Sequence, residues 1–146
     1  MHLEGTHTFT ADLETVWAAL NDPEVLARAT PGVTSMEPLG EDKYQTIFDI
    51  KMGPIKSTFN GTLEVTDKVA PERFKLLVSV QGKIGAVAAE GSFDLQSQDG
   101  ATVVAFSGDA RMTGVLARMG QRVISGVARM FTKQFFSTLE LELAQG

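Results

Sequence analysis

Residues 115–143 read VLARMGQRVISGVARMFTKQFFSTLELEL. No proline interrupts the segment, and its apolar residues recur every three or four positions, the period of a helix rather than a strand. At about 100° per residue, Leu116, Met119, Val123, Val127 and Met130 fall on one face, widened by Ile124, Phe131 and Phe135. Arg118, Arg122, Arg129 and Lys133 fall opposite, within an arc of about 60°. The spacing predicts one long amphipathic helix from Val115 to Leu143, and such a helix needs an extended apolar surface to cover.

That surface is written upstream with period two. Tyr44, Thr46, Phe48, Ile50 and Met52 alternate with polar residues, turn at Gly53-Pro54, and continue through Ile55, Ser57, Phe59, Gly61, Leu63 and Val65. The two runs read as a long hairpin. Phe74, Leu76, Val78 and Val80 follow a turn at Ala70-Pro71-Glu72. Val87, Ala89, Gly91, Phe93 and Leu95 form the next run, and Val104, Phe106, Gly108, Ala110 and Met112 the last. Before them come a strand around Leu3–Phe9, a short helix capped by Asp12, and a second with Asp22 as N-cap and Pro23 at its first position. This second helix stops near Thr30, ahead of Pro31-Gly32; a weak strand spans Val33–Leu39. The fold class is α+β, with residues 1–146 as one domain. A curved antiparallel sheet of about seven strands wraps round the C-terminal helix, the only element large enough to cover its apolar face.

Composition bounds the function. With 146 residues, 43% hydrophobic and 21% charged, the chain can bury a real core. It has no cysteine, which removes disulfides and thiolate chemistry together. The net charge of −5 is unevenly placed. Residues 1–110 carry 8 Lys/Arg and 16 Asp/Glu, whereas residues 111–146 carry 5 and 2. An acidic body argues against general nucleic-acid binding, which needs a broad basic footprint. The longest run without a charged residue, Gly100–Gly108, is far short of the ~20 residues of a membrane span. With no basic-then-apolar leader, the expected location is cytoplasmic.

Methionines at positions 52, 112, 119 and 130 project toward the predicted interior, where their flexible thioethers suit either an irregular core or an adaptable apolar pocket. Gly120 and Gly126 in the helix fit either close packing on the sheet or room for a ligand beneath it. On the runs starting at Tyr44, Ile55 and Phe74, no acid, base or histidine faces inward, whereas acid–base catalysis needs such a group near its substrate. His2 and His7 lie on opposite faces of their strand and do not converge on a metal; no metal site is expected. His7 and Tyr44 are the only polar candidates for an enzymatic role. The arginine stripe reads either as a solvated face or as a docking surface for an acidic protein or anionic lipid.

Three blocks carry a family resemblance: Val16-Trp17-Ala18-Ala19-Leu20-Asn21-Asp22-Pro23-Glu24-Val25-Leu26 with Pro31-Gly32; Met52-Gly53-Pro54-Ile55-Lys56 with Phe59-Asn60-Gly61; and Gly114 to Ile124 with Gln134-Phe135-Phe136. In this order, across nearly the whole chain, they resemble the carbon monoxide dehydrogenase G-subunit (CoxG) family of the START-like (SRPBCC) superfamily. The resemblance implies the helix-grip fold. It also implies an accessory protein of a molybdenum-containing carbon monoxide dehydrogenase or related hydroxylase, linked to the membrane, with a quinone or lipid as the apolar ligand. Thr30 and Val33 stand where many relatives have an aliphatic residue and a cysteine, so any role of that cysteine is absent. Some relatives continue into a membrane-anchoring tail; this sequence ends at Gly146, and the expected membrane contact is peripheral.

The resulting expectation is a non-catalytic carrier. Periodicity nominates Phe48, Ile50, Met52, Phe59, Leu76 and Val78 as ligand-lining residues from the sheet, with Phe93 and Phe106. Leu116, Met119, Val123 and Met130 are nominated from the helix. Pro31, Gly32, Gly53 and Pro54 are candidate rim residues, and Arg118, Arg122, Arg129 and Lys133 candidate docking residues. The alternatives are a START-like cyclase or hydrolase acting on an aromatic or polyketide substrate, and a structural adaptor with a filled interior.

Overall fold

The computed structural model describes residues 1–145; Gly146, included in the single-domain reading, lies outside them. In chain order the elements are β1 (His2–Phe9), α1 (Leu13–Leu20), α2 (Pro23–Ala29), β2 (Val33–Gly40), β3 (Lys43–Met52), β4 (Ile55–Val69), β5 (Arg73–Gly82), β6 (Gly85–Gln98), β7 (Ala101–Met112), α3 (Val115–Arg118) and α4 (Gln121–Gln145). The seven strands form one antiparallel sheet in the order β1-β7-β6-β5-β4-β3-β2. Strands β2 to β7 are a meander of neighbours. β1 pairs with β7, from His2 opposite Asp109 to Phe9 opposite Thr102, so α1 and α2 carry the chain from one sheet edge to the other.

The short helices start where capping chemistry puts them. The Asp12 carboxylate accepts from the Thr15 N–H at 2.8 Å, satisfying an end donor of α1; hydrogen bonding from Thr15, first by its side chain and then by its backbone, lowers the Asp12 pKa. Asp22 accepts from the Glu24 N–H at 2.9 Å, with Pro23 opening α2. In the sheet, Gly61 is required by a close approach: a Cβ there would overlap the Ser79 carbonyl oxygen of β5.

The C-terminal segment differs from the sequence expectation in one respect. It is two helices, not one, broken at Met119-Gly120 with Gly120 at φ +93°. The Gly120 carbonyl accepts from the Ile124 N–H at 3.2 Å, so the glycine starts α4 afresh. The break resets the helix phase. The inner face of α4 runs through Ile124, Phe131, Phe135 and Leu139, roughly a third of a turn round from the stripe that a continuous wheel picks out. Gly120 and Gly126 do not serve close packing: a Cβ on either meets nothing within 4 Å.

The interior has two parts. One cluster, around Phe9, Val16, Leu20, Val104, Phe136 and Leu139, is tightly filled; Val16, Val104 and Leu139 have no solvent exposure. Here the C-terminal half of α4 is also tied by polar contacts, Arg28 Nε to Glu142 Oε1 at 2.7 Å and His7 Nε2 to Glu140 Oε1 at 2.8 Å. The second cluster comprises Phe48, Ile55, Phe59, Val80, Leu116 and Ile124. Between them the sheet and α4 enclose space that side chains leave unfilled.

Candidate ligand cavity

The unfilled space is a cavity of about 420 Å³. At roughly 30 Å³ each, that is room for about fourteen waters. Alternation on five long strands builds most of its wall. Phe48 and Ile50 come from β3, Ile55 and Phe59 from β4, Leu76, Val78 and Val80 from β5, Val87, Ala89 and Phe93 from β6, and Phe106, Ala110 and Met112 from β7. Leu116 of α3 and Ile124, Val127, Ala128, Phe131 and Phe135 of α4 form the roof. Ile50, Leu76, Val78, Val87 and Phe93 point inward yet are only half-buried, because they face a hollow rather than packed atoms.

The wall contains no ionisable side chain. Its polar residues are Thr30, Ser107 and Thr132, and the Thr132 hydroxyl already donates to the Ala128 carbonyl at 2.8 Å. An apolar guest loses little hydration on entry, whereas a charged one would lose its hydration without gaining a partner. The rings divide the wall: Phe74, Phe93, Phe106, Phe135 and Phe136 crowd one part, with Phe74 and Phe93 stacked at 4.9 Å. Toward Leu116 and Ile124, Phe48, Phe59 and Phe131 alternate with branched aliphatic residues such as Ile55 and Val80.

Of the nominated lining residues, Phe48, Ile50, Phe59, Leu76, Val78, Phe93, Phe106 and Leu116 are on the wall. Four are not. Met52 is buried at the β3–β4 tip without reaching the cavity, and Met119 is half-buried at the helix break, against the second cluster. Val123 and Met130 point outward, 37% and 42% exposed, because α4 is turned relative to the continuous helix that placed them inside. Sequence reasoning left out Val80, Val87, Ala89, Ala110 and Met112, although the same period-two runs contain them. It also left out Ala128, whose signal was its place one helical turn after Ile124.

The nominated rim turns lie behind the wall. A Cβ on Gly32 would touch Ile50 Cδ1 at 3.0 Å, and one on Gly53 would touch Val127 Cγ2 at 3.5 Å; Pro31 is half-buried and Pro54 exposed. None of the four is itself on the wall. Arg118, Arg122, Arg129 and Lys133 are all exposed, and none takes part in an ion pair among the described residues. His7 stacks on Phe136 with ring centres 4.9 Å apart and bonds Glu140, outside the cavity; Tyr44 packs against the filled cluster. The two polar candidates for catalysis therefore do not reach the hollow. No group of three or more His, Asp or Glu able to hold a metal occurs among the described residues. No helix among them is long and apolar enough to cross a membrane.

A curved antiparallel sheet closed over an apolar hollow by a long C-terminal helix is the helix-grip architecture of START-like proteins. Residues 5–144 match the family of the carbon monoxide dehydrogenase G subunit (CoxG), and the chain belongs to that family. A conserved protein from Geobacillus kaustophilus has a crystal structure 34% identical in sequence, superposing with a TM-score of 0.96 over 99% of this chain and 96% of that one. A Thermus thermophilus protein (14% identity, TM-score 0.75, 99% and 98% coverage) shares the fold. So does the ZhuI aromatase/cyclase of Streptomyces sp. R1128 (14%, 0.74, 99% and 94%). No protein of curated function matches the sequence significantly.

Proposed function

We propose that this protein is a non-catalytic carrier. It holds an apolar molecule of the quinone or lipid class between sheet and α4, and it assists a molybdenum-type carbon monoxide dehydrogenase or related hydroxylase at the membrane surface. The observation that carries the reading is the 420 Å³ cavity without an ionisable side chain on its wall. Proton transfer needs a titratable group within hydrogen-bond reach of the substrate; the wall's side chains offer only hydroxyls, and the Met1 ammonium at its edge is held by the Ala110 carbonyl at 2.9 Å. The family supports a role beside carbon monoxide dehydrogenase. In this reading Arg118, Arg122, Arg129 and Lys133 belong to the docking face.

The single tryptophan provides the test. Trp17 meets Phe74 edge-on at 5.6 Å, and Phe74 is on the cavity wall. Titration with a short-chain isoprenoid quinone is expected to quench Trp17 emission saturably at one molecule per chain, with a long-chain fatty acid competing. Linear, non-saturating quenching that competitors leave unchanged would overturn the carrier reading.

A further inference from the structure

The charge and hydropathy of one end of the molecule point to a specific partner. Three segments meet there: the β3–β4 tip (residues 51–56), the β5–β6 tip (82–87) and the β7–α3–α4 stretch (111–129). Lys51 pairs with Lys56 across the first tip, and Gly82 with Gly85 across the second. The Leu116 N–H donates to the Ile84 carbonyl at 3.1 Å, seating α3 on the second tip. Gly53 of the first lies beside Val127 and Met130.

The segments hold seven cations, Lys51, Lys56, Lys83, Arg111, Arg118, Arg122 and Arg129, and no aspartate or glutamate. The remainder of the chain holds six Lys/Arg against eighteen Asp/Glu, so a +7 end sits on a −12 body. All seven cations are exposed. The ion pairs that Lys and Arg make among the described residues, Arg28–Glu142, Lys68–Asp42 and Lys75–Asp67, involve none of them.

Apolar groups project among these charges. Pro54 is exposed, and Val115, Val123 and Met130 are 40%, 37% and 42% exposed. Val123 and Met130 lie about 100° round α4 from Arg122 and Arg129, so cations border the apolar strip. This end also adjoins the cavity: Ile55, Leu116, Ile124 and Val127 belong to its wall.

We infer that this end docks on an anionic lipid bilayer, with the cations against the headgroups and Pro54, Val115, Val123 and Met130 entering the interface. Charge complementarity selects an anionic surface, and an acidic body behind a basic face orients the molecule as it approaches. The apolar strip beside the cavity selects lipid, since an apolar cargo could then cross between bilayer and hollow without crossing water. The inference deepens the membrane part of the proposed function and rests on it; its test needs no cargo.

The experiment is flotation of the protein with phosphatidylcholine vesicles, with and without phosphatidylglycerol. Binding is expected only with the anionic lipid and is lost at high salt, as the Debye length shortens. Lys51→Gln/Lys56→Gln/Lys83→Gln, all on exposed turns, is expected to weaken binding on the order of a hundredfold, taking the usual worth of each cation near such a surface. Val123→Ser/Met130→Ser is expected to weaken it too, whereas Lys43→Gln/Arg73→Gln, at the opposite strand ends, leaves it unchanged. Equal binding to neutral vesicles, no binding to either, equal weakening by the opposite-end variant, or no effect of the serine variant would each overturn the inference. The last result would fit an acidic protein as partner instead. Quinone titration of the same variants through Trp17 keeps the two ideas apart: docking can fail while saturable quenching persists, and the reverse.

Discussion

Replacing Ala128 with phenylalanine separates a hollow interior from a filled one by the sign of its effect. Ala128 is half-buried on the inner face of α4 and belongs to the cavity wall. A space of roughly 150 Å³ holds a benzene, so the added ring would occupy about a third of the 420 Å³ available. Burying a phenyl side chain stabilises by about 1.5–3 kcal/mol. Exchanging alanine for phenylalanine in a helix costs up to about 0.7 kcal/mol. The net expectation is a gain of about 1–2 kcal/mol, seen as a Tm higher by roughly 2–8 °C for a chain of this size. In a packed core the same ring would be forced into occupied volume and would cost about 1–3 kcal/mol, lowering Tm. Calorimetry of the unliganded protein reads the sign. Trp17 quenching then reads the consequence: with a third of the space gone, quinone affinity is expected to fall at least tenfold. A lowered Tm, or affinity equal to wild type in a stabilised variant, would refute the reasoning.

Leu139→Ala, in the filled cluster, is expected to cost about 2–5 kcal/mol in denaturant unfolding, and Leu76→Ala, facing the hollow, clearly less; equal losses would contradict the division of the interior. Gly61→Ala is expected to cost more than about 2 kcal/mol, because its Cβ would overlap the Ser79 carbonyl oxygen and β4 would have to move off β5. A melting curve matching wild type would show that the strands yield easily. The pKa of His2 is raised above 6.5, first by its bond to Asp109 and then by Glu4. Its stabilising contribution is therefore full below 6.5 and is lost as pH rises through the elevated value. NMR titration should show His2 moving back toward 6.5 in Asp109→Asn. Asp12 works in the opposite sense: its contribution is present above 3.8 and disappears as pH falls through its lowered pKa. Asp12→Ala should flatten the acid limb of the melting profile.

The fold was legible in the sequence because its signals are local and repeated. Period-two runs such as Tyr44–Met52 admit one face assignment, and Asp22-Pro23 marks a helix start through chemistry confined to adjacent residues. The same alternation placed the strand part of the cavity wall, from Phe48 to Phe106. The helix part was misread for a specific reason: a wheel assumes unbroken phase, and Gly120 breaks it. Helix propensity counts that glycine as a modest cost, whereas its actual conformation, φ +93°, depends on α3 being seated on Ile84 by a contact more than thirty residues distant in sequence. Met119, Val123 and Met130 then lost their inferred place together, and a bulky substitution at Met119 is not expected to obstruct the hollow. The concentration of charge at one end was hidden for a similar reason. Counted along the chain, Lys51, Lys56 and Lys83 belong to an acidic stretch, and only antiparallel pairing brings them to the same end of the sheet as Arg111 and Arg118.

The joint at Gly120 works as a clutch between two shafts. In a continuous helix, adding or deleting one residue near Val115 would swing every later side chain by about 100° and turn Phe131 and Phe135 out of the interior. With the drive interrupted, the stretch before Gly120 can change length or register while α4 keeps its own angular setting from Leu139, Glu142 and Arg28 at its far end. A change of length or register before Gly120 is thereby kept from turning the part of the cavity wall that α4 supplies.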